Sequence, residues 1–108
     1  MTIETLCIVQ AGRVGADQRE VLATRLSEIT ADAFGRASET SWLEIEPGNG
    51  WTAGEPSTTS LVSMGVPSME APDRTRLLQA ICDAWSEETA CSINEIVASA
   101  ITAPAEGA

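Results

Sequence analysis

The tetrapeptide Ala16-Asp17-Gln18-Arg19 is similar to Ala71-Pro72-Asp73-Arg74, which begins 55 positions further along the chain. The same offset aligns further positions: Leu6 with Leu61, Cys7 with Val62, Leu22 with Leu77, Leu26 with Ile81 and Trp42 with Val97. Two copies of so long a period indicate pseudo-symmetry inside one domain and not a solenoid. Since 108 residues is the length of one domain, we expect a single domain over 1–108. Its repeat units would span about 2–57 and 58–103, with a tail at 104–108.

The first unit has the pattern strand, helix, strand. Residues 3–9 are apolar and β-branched, which is typical of a largely buried strand. The spacing of apolar residues predicts a helix over 16–34, with one face formed by Leu22, Leu26, Ile29 and Ala33. Gly35 can adopt the left-handed conformation that ends a helix. A second strand is expected over 42–46, followed by a loop rich in glycine, proline and serine.

The second unit repeats this pattern with a strand over 59–66, a helix that begins at Ala71 and a strand over 93–101. Pro72 suits the first turn of that helix, because its missing N–H would have no partner there. Right-handed βαβ units give parallel strand pairs. The sequence therefore predicts an α/β (α+β) fold with a four-stranded mixed sheet and two helices on one face. The other face needs a cover, which oligomerisation can supply.

Composition excludes several kinds of chemistry. The chain contains no histidine, lysine or tyrosine and has a formal net charge of −10. These absences remove histidine metal sites, histidine-activated nucleophiles and lysine Schiff bases, and we expect neither a metal nor a cofactor. The negative charge disfavours nucleic acid and anionic membranes as partners. No apolar run reaches the roughly 18 residues of a membrane span, and the N-terminus lacks a signal-peptide pattern, so a cytoplasmic location is the default expectation.

Three stretches have an order and spacing in common with a known family. They are residues 11–13 before 17–22, the loop 46–55, and 63–65 through 71–74. In these stretches the chain resembles the tautomerase superfamily, which includes 4-oxalocrotonate tautomerase and cis-3-chloroacrylic acid dehalogenase. The resemblance covers nearly the whole chain and implies the tandem βαβ fold. Together with the uncovered sheet face and the apolar fourth strand, it predicts a homotrimer.

The resemblance implies general acid–base chemistry by an N-terminal proline, which this chain lacks. Thr2 stands at that position, and it is small enough for Met1 to be removed. The product would have a primary α-amine with an ordinary pKa of about 7.7–8.0, which an apolar pocket would lower. The resemblance therefore makes Thr2 the candidate general base.

Three further candidates follow from the same resemblance. Arg13 would hold a substrate carboxylate, Trp51 would form the pocket wall, and Glu70 occupies the loop where the dehalogenases carry arginines. Each has a plain alternative: a surface arginine, a packing tryptophan and a solvated carboxylate. Ser68 and Ala71 stand where the dehalogenase arginines would be, so dehalogenation is not expected.

Two functions remain open from the sequence. The first is a tautomerase-like isomerase or lyase that acts on a small oxo or enol compound, for example in a bacterial catabolic or natural-product pathway. Because the chain has few cations, its substrate would carry at most one negative charge. The second is a non-catalytic protein of the same fold that binds a small ligand or a partner chain.

Overall fold

The computed structural model describes residues 3–46, 48–52, 54–90 and 95–102. Two long helices and six strands follow one another along the chain. They are β1 (Ile3–Gln10), α1 (Ala16–Phe34), β2 (Ser38–Ile45), β3 (Trp51–Thr52), β4 (Glu55–Pro56), β5 (Ser60–Val66), α2 (Ala71–Thr89) and β6 (Ile96–Thr102). In the described part of the chain, no helix is both long and apolar enough to cross a membrane.

Four strands form the main sheet in the order β2-β1-β5-β6. The β1–β2 and β5–β6 pairs are parallel, whereas β1 and β5 run antiparallel. The two βαβ units are thus related by a pseudo-twofold axis between β1 and β5. The predicted fold class, a mixed four-stranded sheet with two helices, is confirmed.

The core lies between the helices and one face of the sheet. Alternate residues of β1 point into it, because side chains of a strand alternate between its two faces: Ile3, Thr5, Cys7 and Val9 are all buried. From the helices, Leu22 and Leu26 meet the sheet in the first unit, and Leu77 and Ile81 occupy the equivalent positions in the second. The buried Trp85 of α2 contacts Trp42 of β2, with ring centroids 5.8 Å apart.

Element boundaries match the sequence expectations at the helices and depart from them at some strands. Helix α1 spans the predicted 16–34, and α2 begins at Ala71. Strand β2 begins at Ser38 and not at residue 42, because its parallel pairing with β1 continues back to the pair Ile3–Ser38. The short β3–β4 hairpin was not expected within the glycine-rich loop. The fourth main strand begins at Ile96; residues 93–94 of its predicted range lie outside the described residues.

The alignment of Trp42 with Val97 is wrong by one residue. Cys7 pairs with Trp42 in the first unit, and its counterpart Val62 pairs with Ala98 in the second. The connection from helix to strand is therefore one residue longer in the second unit. A shift of one residue moves a side chain to the other face of a sheet: Trp42 faces the helices, whereas Val97 lies on the opposite face with 47% of its surface exposed.

The face of the sheet away from the helices, here called the open face, carries an apolar row across all four strands. Ile8 of β1 pairs with Leu43 of β2 and with Leu61 of β5, which pairs in turn with Val97 of β6. Leu43, Leu61 and Val97 are all exposed in the single chain. The row at the other end of the open face instead carries two neighbouring carboxylates, Glu4 and Glu39.

Candidate functional site

A groove between the two helices opens at the end of the sheet where β1 begins. The Ile3 N–H donates a hydrogen bond of 2.9 Å to the Ala37 carbonyl, which ties the start of β1 to the segment that follows α1. Beside this segment, the last turns of α1 and the first turns of α2 enclose a cavity of about 810 Å³, here called the helix groove. Its apolar lining comes from Ile29, Phe34, Met69, Leu77 and Ala80.

Charged side chains line the same groove. Asp32 lies in the last turns of α1, while Glu70 occupies the N-cap position of α2 and Asp73 its first turn. Arg76 is the one cation among the described lining residues, and it is ion-paired with Asp73. Glu70 and Asp73 suit the positive end of the α2 dipole, whereas Asp32 opposes the negative end of the α1 dipole. The groove lining thus combines apolar side chains with a net negative charge.

Of the predicted site residues, Thr2 lies outside the described residues and Glu70 lines the helix groove. Ile3, the first described residue, is buried, and its N–H is bonded to the carbonyl of Ala37, which follows α1.

Arg13 lies at the opposite end, in the loop that follows β1. The seven steps from Ile3 to Gln10 span about 23 Å of extended strand. Arg13 Nη2 donates to Glu95 Oε2 at 3.0 Å, and the Thr58 hydroxyl donates to the same oxygen at 2.8 Å. These residues line a small cavity of about 280 Å³. Within one chain, Arg13 is not brought next to the start of β1.

Sequence reasoning did not single out Glu95 as the partner of Arg13. The two residues are 82 positions apart, and nothing in the local pattern around either one indicates the contact. The only available signal was charge. It does not identify one partner for Arg13, because the chain contains 16 acidic residues. The fold selects Glu95 from among them.

Trp51 lies at the same end of the sheet as Arg13, in the β3–β4 hairpin. The residue is 63% exposed, and its indole N–H donates to the Gly48 carbonyl at 3.0 Å. The hairpin is held near the end of β1 by Gln10, whose amide donates to the Ser57 carbonyl at 3.3 Å. In a single chain, Trp51 is therefore neither a core residue nor a wall of the helix groove.

The remaining nucleophilic and metal-binding possibilities are limited. Burial raises the pKa of the Cys7 thiol to about 12, so this thiol stays protonated and is not a nucleophile at neutral pH. Among the described residues, no group of three or more Cys, Asp or Glu side chains is arranged to hold a metal ion. Thr30 of α1 is fully buried, and its hydroxyl donates to the Ser27 carbonyl.

No protein-family model matches the chain, and no curated protein sequence matches it significantly. Solved structures do match. The chain is 25% identical to Ps01740, with a TM-score of 0.90 and 97% of each chain covered. It is 14% identical to N1, a member of the cis-3-chloroacrylic acid dehalogenase family, with a TM-score of 0.88, 97% of this chain and 78% of N1 covered.

A third match is a fused 4-OT described as a wild type symmetric trimer. It is 15% identical, with a TM-score of 0.84 and coverage of 94% of this chain and 85% of the other. These matches extend over nearly the whole chain, in agreement with the three stretches on which the sequence resemblance rests. The structure and its neighbours thus confirm that the chain has the fold of the tautomerase superfamily.

Proposed function

We propose that the protein is a tautomerase-like isomerase or lyase that moves a proton on a small oxo or enol compound, in the cytoplasm. The observation that carries the proposal is the helix groove, a cavity of about 810 Å³ lined by apolar and charged side chains from the end of α1 and the start of α2. Small-molecule sites have volumes of this order and are mostly apolar with a few polar groups. The proposal assigns this groove to the substrate and the role of catalytic base to the Thr2 α-amine.

In this mechanism, Met1 is removed and the Thr2 α-amine acts as a general base. In its neutral form the amine takes a proton from the carbon next to the substrate carbonyl, and the electrons of that C–H bond form the enol or enolate. The resulting ammonium returns the proton to another carbon, which completes the isomerisation. Glu70, which lines the groove, would accept a hydrogen bond from a substrate hydroxyl.

The proposal includes a homotrimer, because one chain does not bring all the candidate residues together. Arg13 and Trp51 lie at the end of the sheet opposite to the helix groove. A neighbouring chain that covers the open face would supply them to the site, and the apolar row of Ile8, Leu43, Leu61 and Val97 is the surface to be covered. The symmetric trimer of the fused 4-OT supports this assembly. Arg13 would then leave Glu95 to bind a single substrate carboxylate.

The test is steady-state ketonisation of a 2-hydroxydienoate by the wild type and by Thr2→Pro. A secondary amine in the same pocket is the base that the resemblance implies. We expect Thr2→Pro to raise kcat/KM by about tenfold or more, because a well-positioned general base contributes about 10²–10⁴-fold to the rate. Intact mass must show that Met1 has been removed from both proteins.

Thr2→Gln is the matched control, because its larger side chain should leave Met1 in place and block the α-amine. Its activity should fall to background. A correctly processed and folded Thr2→Pro protein that remains inert would contradict the enzymatic proposal.

One observation favours the second candidate, a non-catalytic binding protein. The two arginines that line the candidate cavities are already paired, Arg13 with Glu95 and Arg76 with Asp73. Retention of Met1 in the natural protein, together with ligand binding in the groove, would support this candidate over the enzyme.

A further inference from the structure

We propose that Arg19 of α1 positions Arg13 for the substrate carboxylate, because it fixes the loop that carries Arg13. The inference rests on the proposed function in taking Arg13 as the carboxylate-binding residue. It goes beyond that function in assigning a role to a second arginine, which acts through Arg13. The link between the two side chains is the backbone of Val14, to which Arg19 is hydrogen-bonded.

The loop between β1 and α1 spans residues 11–15, with Arg13 at its centre. The Ala11 N–H donates to the Ile45 carbonyl at 2.9 Å, which ties the start of the loop to β2. The Arg13 N–H donates back to the Gln10 carbonyl at 3.1 Å. The Arg13 side chain itself remains 47% exposed. Its direction therefore depends on how firmly the backbone of this loop is held.

Arg19 binds the loop at the residue that follows Arg13. Its Nε donates to the Val14 carbonyl at 3.2 Å. Its Nη2 lies 3.1 Å from Glu44 Oε2 on β2, and its guanidinium lies over the Trp42 ring, 5.2 Å from the centroid. A planar guanidinium presents its N–H groups in a rigid fork and stacks on aromatic rings, so one side chain makes all three contacts. Arg19 thus joins the loop to β2.

The same contacts reach the walls of the cavity of about 280 Å³ that Arg13 lines. Val14 and Trp85 also line this cavity. The Trp85 ring packs against the Trp42 ring, with centroids 5.8 Å apart. Arg19 therefore holds one lining residue through its carbonyl and supports a second through the Trp42 ring between them.

Gln18 holds the end of the loop from another direction. Its Oε1 accepts a hydrogen bond of 2.9 Å from the Gly15 N–H, which caps the start of α1. Its Nε2 donates to the Glu88 carbonyl of α2 at 3.1 Å. Since these bonds do not involve Arg19, α1 keeps its start when Arg19 is replaced, and the loop is released only on the side of β2.

Arg25 provides a matched control on the same helix, because its contacts are of the same kind. Its Nη2 lies 2.9 Å from Glu87 Oε1, and its Nη1 donates to the Ala84 carbonyl at 3.4 Å. The side chains of Arg19 and Arg25 are 25% and 34% exposed. The carbonyl that Arg25 binds belongs to α2 and not to the loop. Replacing either arginine removes a bond from a guanidinium to a carbonyl, but only replacement of Arg19 frees the loop.

The test measures benzoate binding to the full-length wild type, Arg19→Lys and Arg25→Lys. The chain contains six arginines and no lysine, so its arginine Nε–H signals in NMR spectra are few, and Arg13→Lys assigns the one from Arg13. We expect benzoate to shift this signal. Its affinity should fall about two- to tenfold in Arg19→Lys, the factor that one hydrogen bond represents, and stay unchanged in Arg25→Lys. Equal affinities in the wild type and Arg19→Lys, equal losses in both variants, or no benzoate shift at Arg13 in the wild type would overturn the inference.

A second variant separates the Val14 bond from the charge of Arg19. Arg19→Met keeps an apolar stem over Trp42 and removes both the charge and the Nε–H. Arg19→Lys keeps a charge for Glu44, but a single ammonium lacks the fork of the guanidinium. We expect lysine to restore part of the free energy of unfolding that methionine loses, without restoring benzoate affinity. Restoration of both by lysine would show that Arg19 supplies charge alone, against the inference.

The two proposals fail in different ways. Benzoate binding does not depend on the Thr2 amine as base, so an inert protein with the expected dependence on Arg19 keeps the inference and loses the enzyme. In an active protein, Arg19→Lys should raise the KM of a carboxylate substrate and leave kcat unchanged, since it weakens a contact made equally in the ground and transition states. An active protein whose KM does not respond to Arg19→Lys keeps the enzyme and loses the inference.

Discussion

Arg13 could be a substrate-binding residue or a plain surface arginine, and its ion-pair partner helps to distinguish these roles. Its ion pair with Glu95 joins side chains that remain 47% and 30% exposed, and exposed pairs contribute only about 0.2–1 kcal/mol to stability. The Thr58 hydroxyl holds the same carboxylate oxygen. Thr58 therefore positions Glu95, and Glu95 positions Arg13. Because this exposed ion pair contributes little free energy, a substrate carboxylate can displace Glu95 from the Arg13 guanidinium.

We expect Arg13→Ala to lower kcat/KM by about tenfold or more, because a charge-assisted hydrogen bond contributes about 1.5–3 kcal/mol. Its effect on the free energy of unfolding should stay below about 1 kcal/mol. Glu95→Gln is the control: it breaks the same ion pair but leaves the guanidinium free, so activity should be kept. Equal activity losses in both variants would assign Arg13 to structure only.

A second prediction at this scale concerns Cys7. Burial raises its pKa from 9.0 to about 12, so the folded state holds a proton that the unfolded state releases above pH 9. The free energy of unfolding should therefore fall as pH rises from about 9 to about 12. The absence of lysine and tyrosine leaves few other groups that titrate in this window. In denaturant titrations at several pH values, Cys7→Ala should abolish this fall in the free energy of unfolding, whereas Cys82→Ala should retain more of it. A pH dependence that Cys7→Ala leaves unchanged would contradict the assignment.

At the scale of elements, the two helices end in the same way with different residues. Gly35 caps α1 at φ 68°, and its N–H donates to the Ala31 carbonyl at 2.8 Å. Ala90, its equivalent in the second unit, caps α2 at φ 57° with a 2.9 Å bond to the Ser86 carbonyl. The left-handed conformation suits glycine and strains a residue with a Cβ. The pseudo-symmetry thus contains one favourable and one strained cap.

This asymmetry predicts opposite effects for two substitutions. Ala90→Gly should raise the free energy of unfolding by up to about 1 kcal/mol, and Gly35→Ala should lower it by about 1–2 kcal/mol. Chemical denaturation of the wild type and both variants measures the difference. Effects of the same sign would show that the caps are not equivalent in solution.

At the scale of the whole molecule, the open face is the apolar surface that a single chain leaves uncovered. An apolar row across four strands is exposed there, whereas the helix-facing side is packed. A stable interface buries about 1,200–2,000 Å² in total, and a sheet face of four strands offers an area of this order. The proposed trimer follows from this imbalance.

Leu61 and Val21 allow a matched test of the trimer, because each is 41% exposed in the single chain. Leu61 lies on the open face and Val21 on α1. We expect light scattering of the wild type to give about three times the 11.3 kDa chain mass. Leu61→Asn should shift the protein toward monomer, because up to about 1.5–3 kcal/mol of burial is lost at each copy. Val21→Asn should remain trimeric; dissociation of both variants, or a monomeric wild type, would contradict the proposed interface.

The sequence by itself determined the helices, the central strands and the fold class, because these depend on local patterns. The periodicity of Leu22 and Leu26, the glycine after Phe34 and the repeat at an offset of 55 are all readable along the chain. The confirmed span of α1 and the start of α2 rest on such signals. Thr2, which carries the proposed chemistry, was also identified from the sequence and stays a prediction.

Only the tertiary structure decided which residues meet. The contact of Arg13 with Glu95 joins opposite ends of the chain, and the register that gives Trp42 and Val97 different faces depends on one extra residue in a connection. The helix groove brings together the end of α1 and the start of α2, so its net negative charge cannot be read from either helix alone. Such features arise from long-range packing and strand register, for which a single sequence carries no local signal.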